Sequence, residues 1–250
     1  MIEPFDDSIL GTFHPIMLEQ MDEVKLLNRV DTKFVVNQNR LNTILEGLQD
    51  DYYMLDISGV RMYPYNTTYF DTDELIAYRN HHNGKLNRYK VRLRTYMLSG
   101  QNYFEIKFKN NKKRTIKSRV TVQSAAPVIA GKAEELLLRK SPFTVADLNP
   151  KLSVCFVRTT LVSKKMNERI TIDRAISYQN GNRQKNFDGL LIIEVKQGKS
   201  EESPAMRRLH QLHINPARLS KYCLGILSLY DGVKHNLFKE TLLNINRILA

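Results

Sequence analysis

Apolar and polar residues alternate singly in several separate stretches of the chain, and the most charged of these begins at Arg88. In Arg88-Tyr-Lys-Val-Arg-Leu-Arg94 a cation stands at every second position. Successive side chains of a strand leave opposite faces, so on a strand these four cations share one face while Tyr89, Val91 and Leu93 share the other. A helix would scatter the same charges around its circumference. Shorter versions recur in Glu105-Ile-Lys107-Phe-Lys109 and Glu194-Val-Lys196, and Lys117 with Arg119 and Arg169 with Asp173 keep the even spacing. Each segment reads as a strand with Val91, Leu93, Ile106, Phe108, Ile193 or Val195 packed on one side and charge turned toward a cavity on the other.

The remaining pattern predicts the elements around these strands. Residues 15–27 carry Ile16, Met17, Met21 and Val24 at helical spacing and lead into a first strand over 29–36, followed by an amphipathic helix over 38–48. Residues 63–122 are rich in aromatic and β-branched types, broken at Asn83-Gly84, Ser99-Gly100 and Asn110-Asn111, the mark of successive antiparallel hairpins. A short helix is expected over 133–139. Strands follow over 151–162, 168–176 and 189–196, with a turn at Asn180-Gly181-Asn182, and the end is helical over 204–212, 222–230 and 237–248. No solenoid repeat, low-complexity tract or Pro/Ser-rich linker interrupts this order, so 1–250 is read as one domain.

Composition narrows the partners. A chain of 250 residues with 42% hydrophobic content can bury a substantial core, and 38 Lys and Arg against 26 Asp and Glu give a formal net charge of +12. That excess calls for an anion: nucleic acid, an acidic membrane surface or a phosphate-rich small molecule. The two cysteines, Cys155 and Cys223, lie in apolar surroundings without metal-ligand or CxxC spacing, so neither a disulfide framework nor a structural zinc site is indicated and a reducing compartment is expected. The acidic start and the lack of an apolar run near about 20 residues point to a soluble, cytoplasmic chain without membrane insertion.

Several chemistries find no support. There is no GxxxxGK[ST] and no GxGxxG after a strand. His210 and His213 have no nearby acid, His81-His82 are expected in a turn, and Ser220 before Lys221 has no nucleophile context. Other features have plain readings: Lys112-Lys113-Arg114 as a solvated hairpin tip, Tyr69, Phe70 and Tyr89 as core aromatics, and Asp71 as a cap before residues 74–78. Alternating Lys and Arg can simply be a solvated face, and for Arg88 and Lys90 taken alone that reading stands beside the cavity one. Lys107 and Glu194 could form exposed cross-strand pairs, but each sits in an otherwise apolar strand.

Taken in order, Thr68-Tyr-Phe-Asp-Thr72, residues 88–94, Glu105-Ile-Lys107, Arg158, Arg169-Ile-Thr-Ile-Asp173, Glu194-Val-Lys196 and Ser220-Lys-Tyr-Cys223 resemble the VTC domain of polyphosphate polymerases. The resemblance runs from about Arg29 to about Leu229. It implies the triphosphate tunnel metalloenzyme fold, related to CYTH proteins: an α+β closed antiparallel β-barrel of about eight strands, with helices packed outside a charged tunnel. By the same resemblance, Lys33, Arg92, Arg94, Lys107, Lys117, Arg158 and Arg169 match phosphate-binding cations, and Lys196 lies beside them. Glu194 matches a metal-binding glutamate, and Lys221 a lysine that closes on the terminal phosphates. Arg92, Arg94, Lys107, Glu194 and Lys221 would be the catalytic set. The chain departs from CYTH enzymes where their ExExK is replaced by Arg29-Val-Asp31-Thr-Lys33, which removes two glutamates that help hold a second metal.

The chemistry implied is metal-dependent transfer of the ATP γ-phosphoryl to a polyphosphate chain, with Mn2+ or Mg2+ as cofactor. A buried polyanion needs a matching density of fixed donors, which arginine forks and lysine point charges supply. Phosphoryl transfer asks mainly for positioning and charge neutralisation. Two alternatives stay open: a tunnel triphosphatase that hydrolyses triphosphate or tripolyphosphate, and a non-catalytic polyphosphate-binding module. Sequence-specific nucleic acid is not an expected partner, and any coupling to a membrane would need a separate partner protein.

Overall fold

The computed structural model describes residues 7–21, 29–198 and 202–250. The strands are, in chain order, β1 (Pro15–Ile16), β2 (Arg29–Asn37), β3 (Tyr52–Leu55), β4 (Tyr63–Asp71), β5 (Arg88–Tyr96), β6 (Gln101–Lys109), β7 (Thr115–Val122), β8 (Asn149–Ser163), β9 (Glu168–Asn180), β10 (Arg183–Phe187) and β11 (Leu190–Gly198). The helices are α1 (Ser8–Gly11), α2 (Leu18–Met21), α3 (Leu41–Leu45), α4 (Ile76–His82), α5 (Lys132–Lys140), α6 (Pro204–Gln211), α7 (Lys221–Leu229) and α8 (Lys239–Leu249). All the strands join one sheet, whose main path runs β2-β11-β9-β8-β4-β5-β6-β7 with antiparallel neighbours throughout.

The path has the eight strands expected, but it does not close into a barrel: among the described residues no ladder joins β2 to β7. The free edge of β2 is taken by the segment before α7, where Pro216 bridges Phe34 and the Ala217 N–H donates to the Lys33 carbonyl at 2.7 Å. The sheet still curls strongly: the short segment 217–221 bonds to β2 at the Lys33 carbonyl, to β5 through Lys90 and to β9 through Asp173.

Alternation divides the sheet into two faces. On the convex side, Phe34, Val36, Ile170, Ile172, Leu191, Ile193 and Val195 pack against α1, α3 and α6. Val91, Leu93, Phe104 and Ile106 pack under α5 through Leu136 and Leu137. Tyr52 ties three elements together here, donating its hydroxyl hydrogen to buried Glu168 and accepting from the Ala205 N–H at 3.1 Å.

The expectation that helices pack only outside is not met. Helix α7 seats Tyr222, Cys223 and Ile226 on the concave side, against Tyr69, Leu152, Val154, Tyr178 and Ile192. The approach is so close that a Cβ at Gly225 would lie 2.6 Å from Tyr178 Cδ1 and 2.8 Å from Leu152 Cδ2. Buried Asp71 locks the helix laterally: it accepts from the N–H groups of Ala77 and Tyr78 in the first turn of α4, and from the hydroxyl of Tyr222. Its capping role is therefore as expected, with a second duty to α7.

Several local readings need correction. Residues 15–16 form β1, pairing parallel to β3 and drawn into the sheet by its edge, so helix appears only as the single turn α2; the rest of the expected helix, 22–27, lies outside the described residues. The run 63–122 is not hairpins alone, since α4 links β4 to β5, and His81 and His82 end that helix instead of forming a turn. His82 is buried, its Nε2 accepting from the Leu237 N–H at 3.3 Å. Cys155 is exposed on the convex side, unlike buried Cys223. Short β3 and β10 have no clear pattern of their own and were not expected. No helix among the described residues is long and apolar enough to cross a membrane.

Candidate functional site

The ladder registers bring the sequence-predicted site residues to one face. Residues directly opposite on adjacent strands project to the same side. Starting from Arg92 and Arg94 on β5, the pairs Arg92–Glu105 and Lys90–Lys107 carry the face to β6, and Lys107–Lys117 and Glu105–Arg119 carry it to β7. In the other direction Arg94 lies opposite Thr67 on β4, Tyr63 opposite Arg158 on β8, and Arg158 opposite Asp173 on β9. Lys196 faces Arg169, and Glu194 faces both Thr171 and Lys33. Lys33, Arg92, Arg94, Lys107, Lys117, Arg158, Arg169, Glu194 and Lys196 thus line one concave surface, and Lys221 reaches it from the first residue of α7.

A bulge makes this possible. Between Cys155 and Val157 on β8 the partner strand advances from Ser177 to Arg174, so β9 holds one extra residue there, and Ala175 takes a left-handed φ of 50°. Asp173 and Tyr178 are five residues apart and would otherwise point to opposite faces. The bulge turns both inward, Tyr178 to the floor beneath α7 and Asp173 to the charged basin.

Within the basin, three carboxylates are each held between two cations. Glu105 accepts from Arg92 Nε at 2.7 Å and pairs with Lys117. Asp173 accepts from Arg158 Nε and Nη2 at 2.6 and 2.8 Å and pairs with Lys221. Glu194 pairs with Lys33 and lies 2.7 Å from Lys196. Burial alone would raise all three carboxyls, but the paired cations outweigh it and hold each well below the usual carboxylate range.

The surplus positive charge is left on other groups. Among the described residues no carboxylate pairs with Arg94; its Nε donates to Thr67 Oγ1 at 3.2 Å and its guanidinium lies over the Tyr65 ring at 5.5 Å. Burial, with Arg92 and Arg158 nearby, brings it down to about 10. Lys107 is pulled well below the usual lysine range, first by the charge of Arg92, then by burial and Arg94. Burial likewise brings Lys117 down to about 8 against the pull of Glu105. Arg169 donates to the Met21 carbonyl at 3.3 Å at the edge of the surface. Lys90 is no solvated residue, since its Nζ donates to Ser220 Oγ at 3.0 Å, while Ser220 caps α7 by accepting from the Cys223 N–H. The structure adds Glu105 and Asp173 to the sequence-predicted set. Their even spacing was visible, but not that each would sit between two cations.

Such a surface can neutralise a linear polyanion along its length and exclude water from it. For a divalent ion, the available protein donors are oxygens, which suits Mg2+ or Mn2+. No group of three or more His, Cys, Asp or Glu residues stands together among the described residues. Glu194 is kept ionised and neighbours Lys196, whose other cross-strand partner is Asp31. This set fits an ion that takes one carboxylate from the protein and fills its shell from phosphate oxygens and water, the usual habit of Mg2+.

Comparison with solved structures finds similar outlines at low identity. A candidate adenylate cyclase from Vibrio parahaemolyticus is 12% identical with a TM-score of 0.48, covering 79% of this chain and 97% of its own. PH1012 from Pyrococcus horikoshii OT3 is 17% identical with a TM-score of 0.44, covering 78% and 98%. HpAC1 from Hippeastrum, a candidate adenylyl cyclase with a dominant triphosphatase activity, is 10% identical with a TM-score of 0.49, covering 83% and 100%. A search of curated proteins returned no match. Family assignment rests instead on the VTC domain model, which matches residues 28–230 and so takes in every strand from β2 to β11 together with α7. The chain belongs to the VTC domain family.

Proposed function

We propose that this protein is a metal-dependent phosphotransferase that moves the γ-phosphoryl of ATP to the end of a polyphosphate chain lying along the concave basin. The observation that carries the reading is the convergence of cations from β2, β5, β6, β7, β8, β9, β11 and α7 on one face, in excess of the carboxylates Asp31, Glu105, Asp173 and Glu194 that share it. A cross-strand pair here and there would need no such surplus. A buried surplus of positive charge is costly until an anion fills it, so the basin is built for a ligand with several negative charges in a row.

The residues divide the work by chemistry. Arg92, Arg94 and Arg158 grip nonbridging oxygens through their forks, and Lys33, Lys107, Lys117, Arg169 and Lys196 neutralise charge along the chain. Lys221, carried on α7 and held at rest by Asp173, stands where the helix meets the basin and can exchange that carboxylate for a terminal phosphate. Glu194 would hold Mn2+ or Mg2+, which supplies charge neutralisation across phosphate oxygens when bound. In-line positioning of donor and acceptor by these fixed groups carries the acceleration, since phosphoryl transfer asks little covalent help of a protein.

Phosphorus NMR of the purified protein with ATP, Mn2+ or Mg2+ and a short polyphosphate primer tests the reading. Growth of internal-chain signal with ADP release is the expected result. Orthophosphate without chain growth would replace it with triphosphate hydrolysis by the same basin, and binding without turnover would leave a polyphosphate-binding module.

A further inference from the structure

Beyond the last cation of β5, the concave face changes character. Tyr96, two residues past Arg94, lies opposite Tyr65 on β4, and Tyr103 lies opposite Arg94 on β6. Their rings form a continuous series: Tyr65 to Tyr96 at 4.8 Å, and Tyr96 to Tyr103 edge-on at 5.5 Å. Arg119, opposite Glu105 on β7, lays its guanidinium over the Tyr103 ring at 4.7 Å. Tyr96 and Tyr103 are half-buried, Arg119 is exposed, and neither of those two rings belongs to a hydrophobic core. Helix α7 covers the other end of the face, near Leu152 and Tyr178.

Phosphate has no use for such a surface, because a tyrosine ring presents a negative face to an anion. The rings do suit a flat, neutral, polarisable group attached to a phosphate chain. A guanidinium stacked on a ring offers its outer plane to another flat system, and aromatic side chains hold bases by stacking at about 1–3 kcal/mol per base. Arg94 joins the two zones, since it lies over the Tyr65 ring while standing in the basin.

We infer that Tyr96, Tyr103 and Arg119, continuing from Tyr65, form a stacking subsite for the base of a nucleoside triphosphate, with the triphosphate directed past Arg94 into the basin. The inference rests on the phosphate-binding reading of the basin and adds to it a docking direction and a preference for purines, which offer the larger stacking area.

Calorimetry with two ligands separates the subsite from the basin. ATP carries the base, and tripolyphosphate offers the same phosphates without it. Tyr103→Leu and Tyr96→Leu should weaken ATP about fivefold to a hundredfold and leave tripolyphosphate unchanged. Tyr103→Phe should restore ATP binding, and CTP should bind the wild type more weakly than ATP. Equal losses for both ligands, or no loss for either, would overturn the subsite while leaving the basin intact. Failure of the wild type to bind tripolyphosphate would overturn the basin reading and the subsite with it.

Discussion

Arg158 and Asp173 face one another across the β8–β9 ladder and are joined by two parallel hydrogen bonds of 2.6 and 2.8 Å, with Asp173 only 1% exposed. Lys221 on α7 shares the same carboxylate, so this one side chain couples the sheet to the helix that sits on it. Asp173→Asn would leave Arg158 and Lys221 facing each other without a counter-charge. The expected cost is about 3–5 kcal/mol in urea unfolding, the range for breaking a buried pair. Tripolyphosphate should recover more stability in this variant than it adds to the wild type, because it replaces the missing anion.

Arg92→Ala or Arg94→Ala should weaken tripolyphosphate binding by at least about 1.5–3 kcal/mol, the worth of a hydrogen bond to a charged group. Unchanged affinity by calorimetry would place those guanidinium groups outside the phosphate path.

Glu194→Gln should abolish metal-dependent turnover while most phosphate binding persists. The variant frees Lys33 and Lys196 from their shared carboxylate, so tripolyphosphate affinity without metal should hold or rise. Full metal-dependent activity would sink the metal assignment.

Lys117 and Lys107 should make tripolyphosphate binding proton-linked. Burial has brought Lys117 down to about 8, and the charge of Arg92 with burial has brought Lys107 well below the usual lysine range. A bound polyanion favours the charged form and raises both, so binding near pH 8 should take up protons, and affinity should fall as pH rises beyond that point. Calorimetry in buffers of different ionisation enthalpy reads the uptake directly, and Lys117→Met should reduce it. Stability without ligand moves oppositely. With the folded lysine values below the unfolded one, the unfolded chain binds more protons in that window, and these two residues favour the fold more as pH rises.

The carboxylates give the acid limb. Glu105, Asp173 and Glu194 are all depressed, so their contribution is present above the unfolded carboxylate values of about 4 and is lost as pH falls through the folded ones. Stability in urea should therefore drop steeply below about pH 4, and Glu105→Gln should flatten that drop.

Period-two alternation made β5, β6, β9 and β11 legible, since charge and apolar residues there take opposite faces, while β2 and β8 were legible from their β-branched and aromatic content. It also put Arg92, Arg94, Lys107 and Lys117 on a common side once neighbouring strands were paired in register. Other features escaped for physical reasons. The inward turn of both Asp173 and Tyr178 depends on one extra residue at Ala175, and an alanine with positive φ leaves no mark in the pattern. The open seam depends on residues 216–217 reaching β2, a long-range contact no local period encodes. Helix α4 was legible only as a capped segment over 74–78, because its N–H groups are satisfied by Asp71, five residues before the helix begins, and not by an adjacent cap. The seating of α7 inside the sheet rests on Gly225, which reads in sequence as a weak point in a helix yet is what lets the helix lie against Tyr178 and Leu152.

Because Glu105, Asp173 and Glu194 each already hold a pair of cations, none of those six has to wait bare for a ligand or be stripped bare when one leaves. A phosphate moving along the proposed path would hand its arginine or lysine back to a resident carboxylate at little net cost. A long anion can then shift by one unit at a time over nearly level ground. On the proposed reading, the surface would serve as a track for a sliding chain more than as a trap for a fixed one.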